Sequence, residues 1–297
     1  MKNVALFWKV FKLSIEDFIE YNSLKISASL SYYTTFSIAP ILIIIISVAG
    51  IFFGVEAVQG KIYLQLNGLI GDEAAQQIQA IIKNVETTQH NRKGAIVGVI
   101  ILIIGASGVF TEIQDSINYL WSIKAKPKKG WVKVILNRLL SFSLIASFGF
   151  LLFVSLAANA ILDLLSEPLK TYFADAMIYL FYVVNTVFTL AVTACMFTII
   201  FKMLPDAIVH WRDAWVGAFL TALLFTGGKL LISLYVNYAE LGKIYGATAS
   251  IIIILLWVYY TSIILFFGAS FTKHYALLHG GKITPKKNAV SVVKHEI

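Results

Sequence analysis

The sequence contains few charged residues for its length. Charged side chains make up 13% of the 297 residues, whereas ordinary soluble domains carry about 25%. Hydrophobic residues make up 59% and occur in long uninterrupted blocks. So few charges cannot cover a soluble surface of this size. The composition therefore predicts one membrane domain rather than a large soluble core.

Residues suited to catalysis or metal binding are also scarce. The single cysteine, Cys195, lies within an apolar block, so one chain can form neither a disulfide nor a cysteine metal cluster. The five histidines are scattered, and the sequence has no His-x-x-x-His pair, Gly-x-Ser-x-Gly elbow or phosphate-binding glycine loop. We therefore expect a protein that is not an enzyme, with no catalytic residue, metal site or cofactor.

Six apolar blocks have the length and composition of membrane-spanning helices. A spanning helix needs about 20 largely apolar residues, whereas barrel strands are about 9–11 residues of alternating polarity. The blocks are Ile26 to Val55, Gly94 to Thr111, Leu139 to Leu162, Ala176 to Phe201, Ala214 to Ala239 and Ile244 to Thr272. We predict an all-α integral membrane protein, a bundle of six transmembrane helices.

Lysine and arginine residues predict the orientation of these spans. They lie between the apolar blocks instead of on one compact face, so the net charge of +8 does not indicate a nucleic-acid partner. With the N-terminus inside, seventeen of them lie on the cytoplasmic side and six outside. This bias predicts an N-in/C-in topology.

The chain outside the spans divides into three parts. Residues 1–25 are expected to form a cytoplasmic amphipathic segment, and residues 26–275 the six-span membrane domain. Within that domain, residues 72–88 have helical apolar spacing and predict an external amphipathic helix. Simple packing against the spans would explain both amphipathic helices equally well. Residues 276–297 are expected to form a flexible, basic cytoplasmic tail.

The fifth span contains a lysine, Lys229, in the middle of apolar sequence. Thr226 and Ser233 share its helix face, which also carries small residues at steps of four. We expect Lys229 to face a packed surface or a cavity, because a charged group facing lipid is disfavoured. The alternative is that its long side chain reaches the outer interface.

Polar residues in the first and fourth spans lie on further helix faces. Ser37 and Pro40 share a stripe in the first span, and Pro40 should kink the helix because it removes a backbone hydrogen bond. Asn185 lies on a polar face of the fourth span. Together these faces could line an internal cleft, although such side chains also often bond to their own helix backbone.

The inner end of the second span is rich in polar side chains. Glu112, Gln114, Asp115 and Asn118 occur within two helical turns. A polar gate at the inner mouth of the bundle is one interpretation. A hydrated helix end is the other.

Several blocks resemble those of one family of bacterial membrane proteins. They are Ala28 to Pro40, Lys202 to Pro205, Val209 to Ala214, Gly228-Lys229, Tyr245-Gly246-Ala247, Leu256 to Tyr260 and Gly268-Ala269. The sequence is similar to the YihY/BrkB family over about residues 20 to 275. It departs at Ala247-Thr248, where a Ser-Leu pair is usual.

The resemblance implies a multi-pass protein of the bacterial plasma (inner) membrane. Members of the family are associated with envelope biogenesis and virulence, and a role in moving lipids has been suggested. A ribonuclease label also exists, which this sequence does not support. The resemblance marks six positions of expected importance: Pro40, Asn118, Pro205, Arg212, Lys229 and Gly246. All of them except Lys229 are gate or hinge candidates, together with the acidic and amide residues of the second span.

The leading functional hypothesis is a transporter or flippase of lipids or other anionic amphiphiles. Lys229 would attract an anionic head group, and polar side chains would contact it, namely Ser37, Asn185, Thr226 and Ser233. The partners would be membrane lipids or lipid-linked molecules, and homo-oligomerisation is open. A non-transporting scaffold for envelope biogenesis is the alternative, followed by a membrane-bound nuclease or hydrolase.

Overall fold

The described part of the chain is mostly helical. The computed structural model describes residues 2–70, 72–87, 108–126, 176–239, 245, 248–279 and 281–292. The helices are α1 (Lys2–Glu20), α2 (Ser23–Phe53), α3 (Val55–Ile70), α4 (Asp72–Thr87), α5 (helical residues 108–120), α6 (Ala176–Met203), α7 (Trp211–Tyr238) and α8 (Ala249–Leu278). The strands are β1 (Ile123–Ala125), β2 (Ala207–Ile208), β3 (Thr284–Pro285) and β4 (Ala289–Ser291).

Two described helical segments are long and apolar enough to cross a membrane. They are the 21 residues Val183–Met203 and the 30 residues Ala249–Leu278. The exposed face of α6 carries valines, among them Val183 and Val187. Apolar side chains that cover a helix surface are favourable against lipid and unfavourable against water. These two helices therefore support a membrane location.

The other predicted spans correspond to the structure in different degrees. The first predicted span falls on α2, which ends at Phe53. The next residue, Gly54, has a φ of +82°, a conformation that only glycine adopts freely. The fifth falls on α7. Most of the second predicted span, the third predicted span and the predicted hinge residue Gly246 lie outside the described residues.

Both predicted amphipathic segments are helices that pack against other helices. Phe7 and Phe11 of α1 contact Phe271 and Phe267 of α8, with ring centroids 5.5 and 5.3 Å apart. In α4, a buried stripe with helical spacing faces α2 and α3; it consists of Ala75, Ile78 and Ile82. The apolar face of each helix is therefore used, at least in part, for packing within the protein.

Helix α8 is the central element of the described bundle. It packs against α1, α2, α3, α4, α6 and α7. Its close antiparallel contact with α7 depends on glycine. Gly217 of α7 lies against Thr272, and Gly268 of α8 lies against Thr221, so that a Cβ atom at either glycine would overlap the facing threonine. Each threonine hydroxyl donates to a carbonyl of its own helix, so neither hydroxyl is left unpaired by the close contact.

The segment after α8 is ordered and crosses one end of the bundle. Strand β3 pairs antiparallel with β2, and β4 pairs antiparallel with β1. Residues 281–292 therefore differ from the flexible tail that the sequence predicted, because their backbone groups bond to two preceding segments. We call the end of the bundle that carries these four strands the strand end.

The α7–α8 contact gives a test at two adjacent glycines. A Cβ at Gly228 would overlap the Tyr260 hydroxyl, whereas a Cβ at Gly227 meets no atom within 4 Å. The Tyr260 ring stacks on Trp257 and its hydroxyl donates to Leu224 O, so it cannot move freely. We expect Gly228→Ala to destabilise the fold by about 1–3 kcal/mol. Gly227→Ala should be neutral or slightly stabilising, because alanine favours helix.

Thermal unfolding of both purified variants in detergent measures this difference. Equal stability of the two variants would contradict the close approach of α7 and α8 at Gly228.

Candidate functional site at the strand end

Lys273, near the end of α8, connects three parts of the chain at the strand end. Its ammonium group lies 2.7 Å from the Asp17 carboxylate of α1. It also donates to the carbonyl of Leu120 at the end of α5, at 2.9 Å, and lies 4.9 Å from the centroid of the Tyr21 ring. Because both charged side chains are largely buried, this ion pair is shielded from water and from salt.

His274 adds a second contact to Asp17. Its Nε2 atom lies 3.1 Å from the same carboxylate oxygen, but without the alignment of a good hydrogen bond. Burial raises the pKa of Asp17, but the contacts with His274 and Lys273 lower it by more, so the net pKa lies below its ordinary value. Asp17 is therefore ionised at neutral pH and holds α1 against α8.

Asn118, one of the predicted gate residues, fixes the segment between α6 and α7. Its side-chain amide donates to the Asp206 carboxylate at 3.0 Å, and its oxygen accepts from the Asp206 backbone N–H at 2.8 Å. Pro205, also predicted, is buried beside this contact. Two hydrogen bonds from one side chain define the position of the loop, so Asn118 and Asp206 form a fixed joint between α5 and the α6–α7 connection.

The ordered tail adds a lysine to this joint. The backbone N–H of Lys286 donates to Asp206 O at 2.9 Å, and its ammonium group donates to Met203 O at 3.2 Å. Burial lowers the pKa of Lys286; the Asp206 carboxylate acts in the opposite direction, and Lys202 lowers it further. The tail is therefore held by both its backbone and this side chain.

Two adjoining cavities lie between α2, α5 and the tail. Their volumes are about 510 and 400 Å³, and both are lined by Tyr21, Asp115 and Tyr119. The larger one also meets Asn118, Ser122, Ile123, Lys124, Ala125 and Val292. The smaller one also meets Asn22, Lys25, Ile26, Ser29, Glu112 and Ser116. Volumes of this order are typical of small-molecule sites.

The predicted polar gate is thus brought together in part. Glu112 accepts a 2.9 Å hydrogen bond from Ser29 of α2, and both line the smaller cavity with Asp115. Gln114 lies on another face of α5, where it is buried and lines neither cavity. Whether these residues open and close a path stays a prediction.

One face of α2 leads from the smaller cavity along the helix. Lys25 and Ser29 line the cavity, and Tyr32 and Phe36 follow at the same helical face. Both rings are exposed, and their centroids are 5.0 Å apart. The exposed aromatic stripe therefore begins one turn beyond the polar cavity, on the same face of α2.

The expectation that Lys229 turns inward is wrong, because its side chain is exposed. The buried face of α7 follows Ala214, Ala218, Thr221 and Gly228. By helical spacing Lys229 lies on the side of Ala218 and Ala222, two turns beyond Ala222, and at this level of the helix that side is exposed. It also lies roughly 27 Å along α7 from Trp211, toward the end opposite the strands. This position fits the alternative of a lysine that reaches the far interface.

Those of the remaining predicted residues that the structure describes do not meet at one cleft. Asn185 and Arg212 are exposed, so Asn185 does not face an internal cleft as expected. Ser37 is buried, and Thr226 donates to the carbonyl of Ala222 in its own helix. The side chains of Pro40 and Ser233, and the whole of Gly246, lie outside the described residues.

Sequence reasoning missed the residues that organise the strand end: Asp17, Tyr21, Asp206, Lys273, His274 and Lys286. The one available signal was the Lys273-His274 pair directly after an apolar span. A cation at that position could equally have been a solvated helix end, because its partner lies 256 residues away.

The Asp17–Lys273 pair makes a prediction about pH and stability. Asp17→Asn should destabilise the protein at neutral pH by about 1–3 kcal/mol, because Lys273 keeps its charge without a counterion. Since the pKa of Asp17 is lowered by folding, its stabilising effect is complete above the ordinary carboxyl range and is lost as the pH falls toward the lowered pKa. The variant should therefore lose less stability than wild type upon acidification.

Glu16→Gln is the matched control, because Glu16 is the adjacent residue and its pair with Lys12 is exposed. Unfolding at several pH values should leave this control close to wild type. Equal behaviour of the Asp17 and Glu16 variants would contradict the assigned role of the buried pair.

Comparison with known proteins identifies relatives over most of the chain. The family model described as Virulence factor BrkB matches residues 14–291. A UPF0761 membrane protein of Saccharophagus degradans is 26% identical over 258 residues, which cover 87% of this chain and 57% of that protein. One of Pseudomonas paraeruginosa is 30% identical over 252 residues, 82% of this chain and 57% of that protein.

These relatives are longer than the chain, which spans 57% of the length of both. A shorter relative, a UPF0761 membrane protein of Pseudoalteromonas atlantica, is 25% identical over 82% of this chain and 78% of its own length. No solved structure matches the chain. The match over nearly all residues confirms the resemblance found in the sequence: the chain belongs to the Virulence factor BrkB family of membrane proteins.

Proposed function

We propose that this protein crosses the bacterial inner membrane six times and moves lipids or other anionic amphiphiles across it. Residues 1–25 and the tail would lie in the cytoplasm. The meeting of basic segments at the strand end supports this orientation: Lys124, Lys126, Lys202, Arg212, Lys282 and Lys287 all belong to it. By the positive-inside rule, that end faces the cytoplasm.

The observation that carries the transport proposal is the aromatic stripe that begins one turn beyond the polar cavity. An amphiphile has a polar head and an apolar chain, and it needs both surfaces next to each other. The cavity beside Ser29 and Glu112 offers charged and hydroxyl groups. The exposed rings of Tyr32 and Phe36 offer an apolar path one to two turns along the same helix. A head group in the cavity would leave its chain on this stripe.

The exposed face of α1 favours a second candidate, a non-transporting scaffold. Trp8, Ile15 and Ile19 share one side of α1, and their exposed fractions are 67, 41 and 69%. Such a stripe would insert into the inner leaflet or dock a partner protein. The scaffold needs no amphiphile in the cavity, so lipid movement separates it from the transporter.

Lipid exchange between leaflets in reconstituted vesicles tests the transport proposal. We expect wild-type protein to speed this exchange and the Tyr32→Ala, Phe36→Ala double variant to lower the rate by about tenfold, because two apolar contacts with the chain are lost. Tyr238→Ala is the control, since Tyr238 is an exposed aromatic residue on α7, away from the stripe. An inactive wild type, or equal rates in all three proteins, would overturn the proposal.

A second variant in the same assay tests the contribution of Lys229. Because its exposed side chain lies away from the cavities, Lys229→Ala should retain the wild-type rate within about twofold. A loss of exchange rate as large as that of the aromatic double variant would indicate that Lys229 contacts the moving lipid.

A further inference from the structure

The charged groups that line the two cavities balance each other. Glu112 and Asp115 contribute two carboxylates, and Lys25 and Lys124 contribute two ammonium groups. A head group with only negative charge would meet the carboxylates, and one with only positive charge would meet the lysines. Charge complementarity therefore favours a ligand that carries both signs.

The wall shared by the cavities is suited to an ammonium group. Asp115, Tyr21 and Tyr119 line both cavities, and the two tyrosine rings meet edge to face with centroids 5.2 Å apart. Carboxylates together with aromatic faces are the usual recognition elements for organic cations. Glu112 accepts one bond from Ser29, and a carboxylate has further lone pairs for a ligand donor.

Ser116 gives an independent indication of a ligand. Its side chain lines the smaller cavity and is only 6% exposed. Within the part of the chain that the structure describes, no residue hydrogen-bonds to its hydroxyl. The hydroxyl is open to the cavity rather than sealed away from it, so a polar ligand group there can hydrogen-bond to it.

The position of Lys25 fixes the direction of the ligand. Lys25 lies on the same face of α2 as Ser29, Tyr32 and Phe36, and it lines the smaller cavity. A phosphate group beside Lys25 lies on the α2 side of the cavity, across from the carboxylates of α5, and its chain reaches Tyr32 past the Ser29–Glu112 contact. The order along the site is then ammonium, phosphate, chain.

We propose that the cavities bind the head group of a zwitterionic amphiphile that carries a primary ammonium next to a phosphate. The ammonium lies among Glu112, Asp115 and Tyr119, and the phosphate lies beside Lys25. As a statement about a transported lipid, this inference rests on the proposed function. Binding of the phosphoethanolamine group in the cavity does not depend on transport.

Transport of two lipids with the same chains tests the first statement. Vesicles contain acyl-labelled phosphatidylethanolamine or acyl-labelled phosphatidylglycerol, which share the phosphate but differ in the amine. We expect wild type to move the amine lipid about tenfold faster, and Glu112→Gln and Asp115→Asn to remove this preference, because each loses a charge-assisted bond. Glu56→Gln, an exposed carboxylate on α3, should keep it. Equal rates for both lipids in wild type would overturn the inference and leave transport intact.

Binding of the free head group separates the two proposals. Phosphoethanolamine and glycerol phosphate are titrated into wild-type and variant protein in detergent and followed by calorimetry. Tighter binding of phosphoethanolamine to wild type, weakened about tenfold in Asp115→Asn, supports the site even if no lipid moves. Equal binding of both compounds, or an unchanged affinity in both carboxylate variants, would overturn it. Retained thermal stability of the variants shows that a lost affinity is not a lost fold.

Discussion

The strand end depends on one buried ammonium group, that of Lys273. It pairs with Asp17, donates a hydrogen bond to the carbonyl of Leu120 and lies over the Tyr21 ring. These contacts join α1, α5 and α8. The indole of Trp121 donates to Ala269 O at 2.9 Å and strengthens the same junction. Because Tyr21 and the end of α5 line the cavities, this ion pair positions the candidate site.

Two lysines, one within an apolar span and one at the end of another, show that the surroundings of a charged residue determine whether it is buried. Lys229 drew attention in the sequence because a charge inside a span is expensive, yet its side chain is exposed. Lys273 stood at a span end, where a cation is ordinary, yet it is largely buried and paired with Asp17. A long side chain can avoid lipid by reaching an interface, so position within a span does not by itself predict burial.

Much of the helical architecture could be predicted, because long apolar blocks and amphipathic spacing are local signals. The first, fifth and sixth predicted spans fall on α2, α7 and α8, and the two amphipathic segments fall on α1 and α4. The tail could not be predicted, because β3 and β4 form only by pairing with residues 207–208 and 123–125. Such pairs between distant segments leave no periodic trace in the sequence.

For the candidate site, the sequence indicated the polar residues of α5 but not the residues that they contact. Glu112, Asp115 and Asn118 were singled out, and all three lie at the cavities. Their contacts with Ser29 and Asp206 join residues 83 and 88 positions apart, which one sequence cannot reveal. A six-span transporter remains our proposal, whereas the membrane family is established by the match over residues 14–291.

Photo-cross-linking from inside the smaller cavity tests whether a lipid head group occupies it. A photoreactive amino acid replaces Ser116, which lines the cavity, or Ser262, which is buried in α8. After illumination in lipid vesicles, we expect a phospholipid adduct on the protein with the probe at position 116 and none with the probe at position 262. If the protein with the probe at position 116 folds correctly but forms no adduct, this result would contradict the occupation of the cavity by a lipid head group.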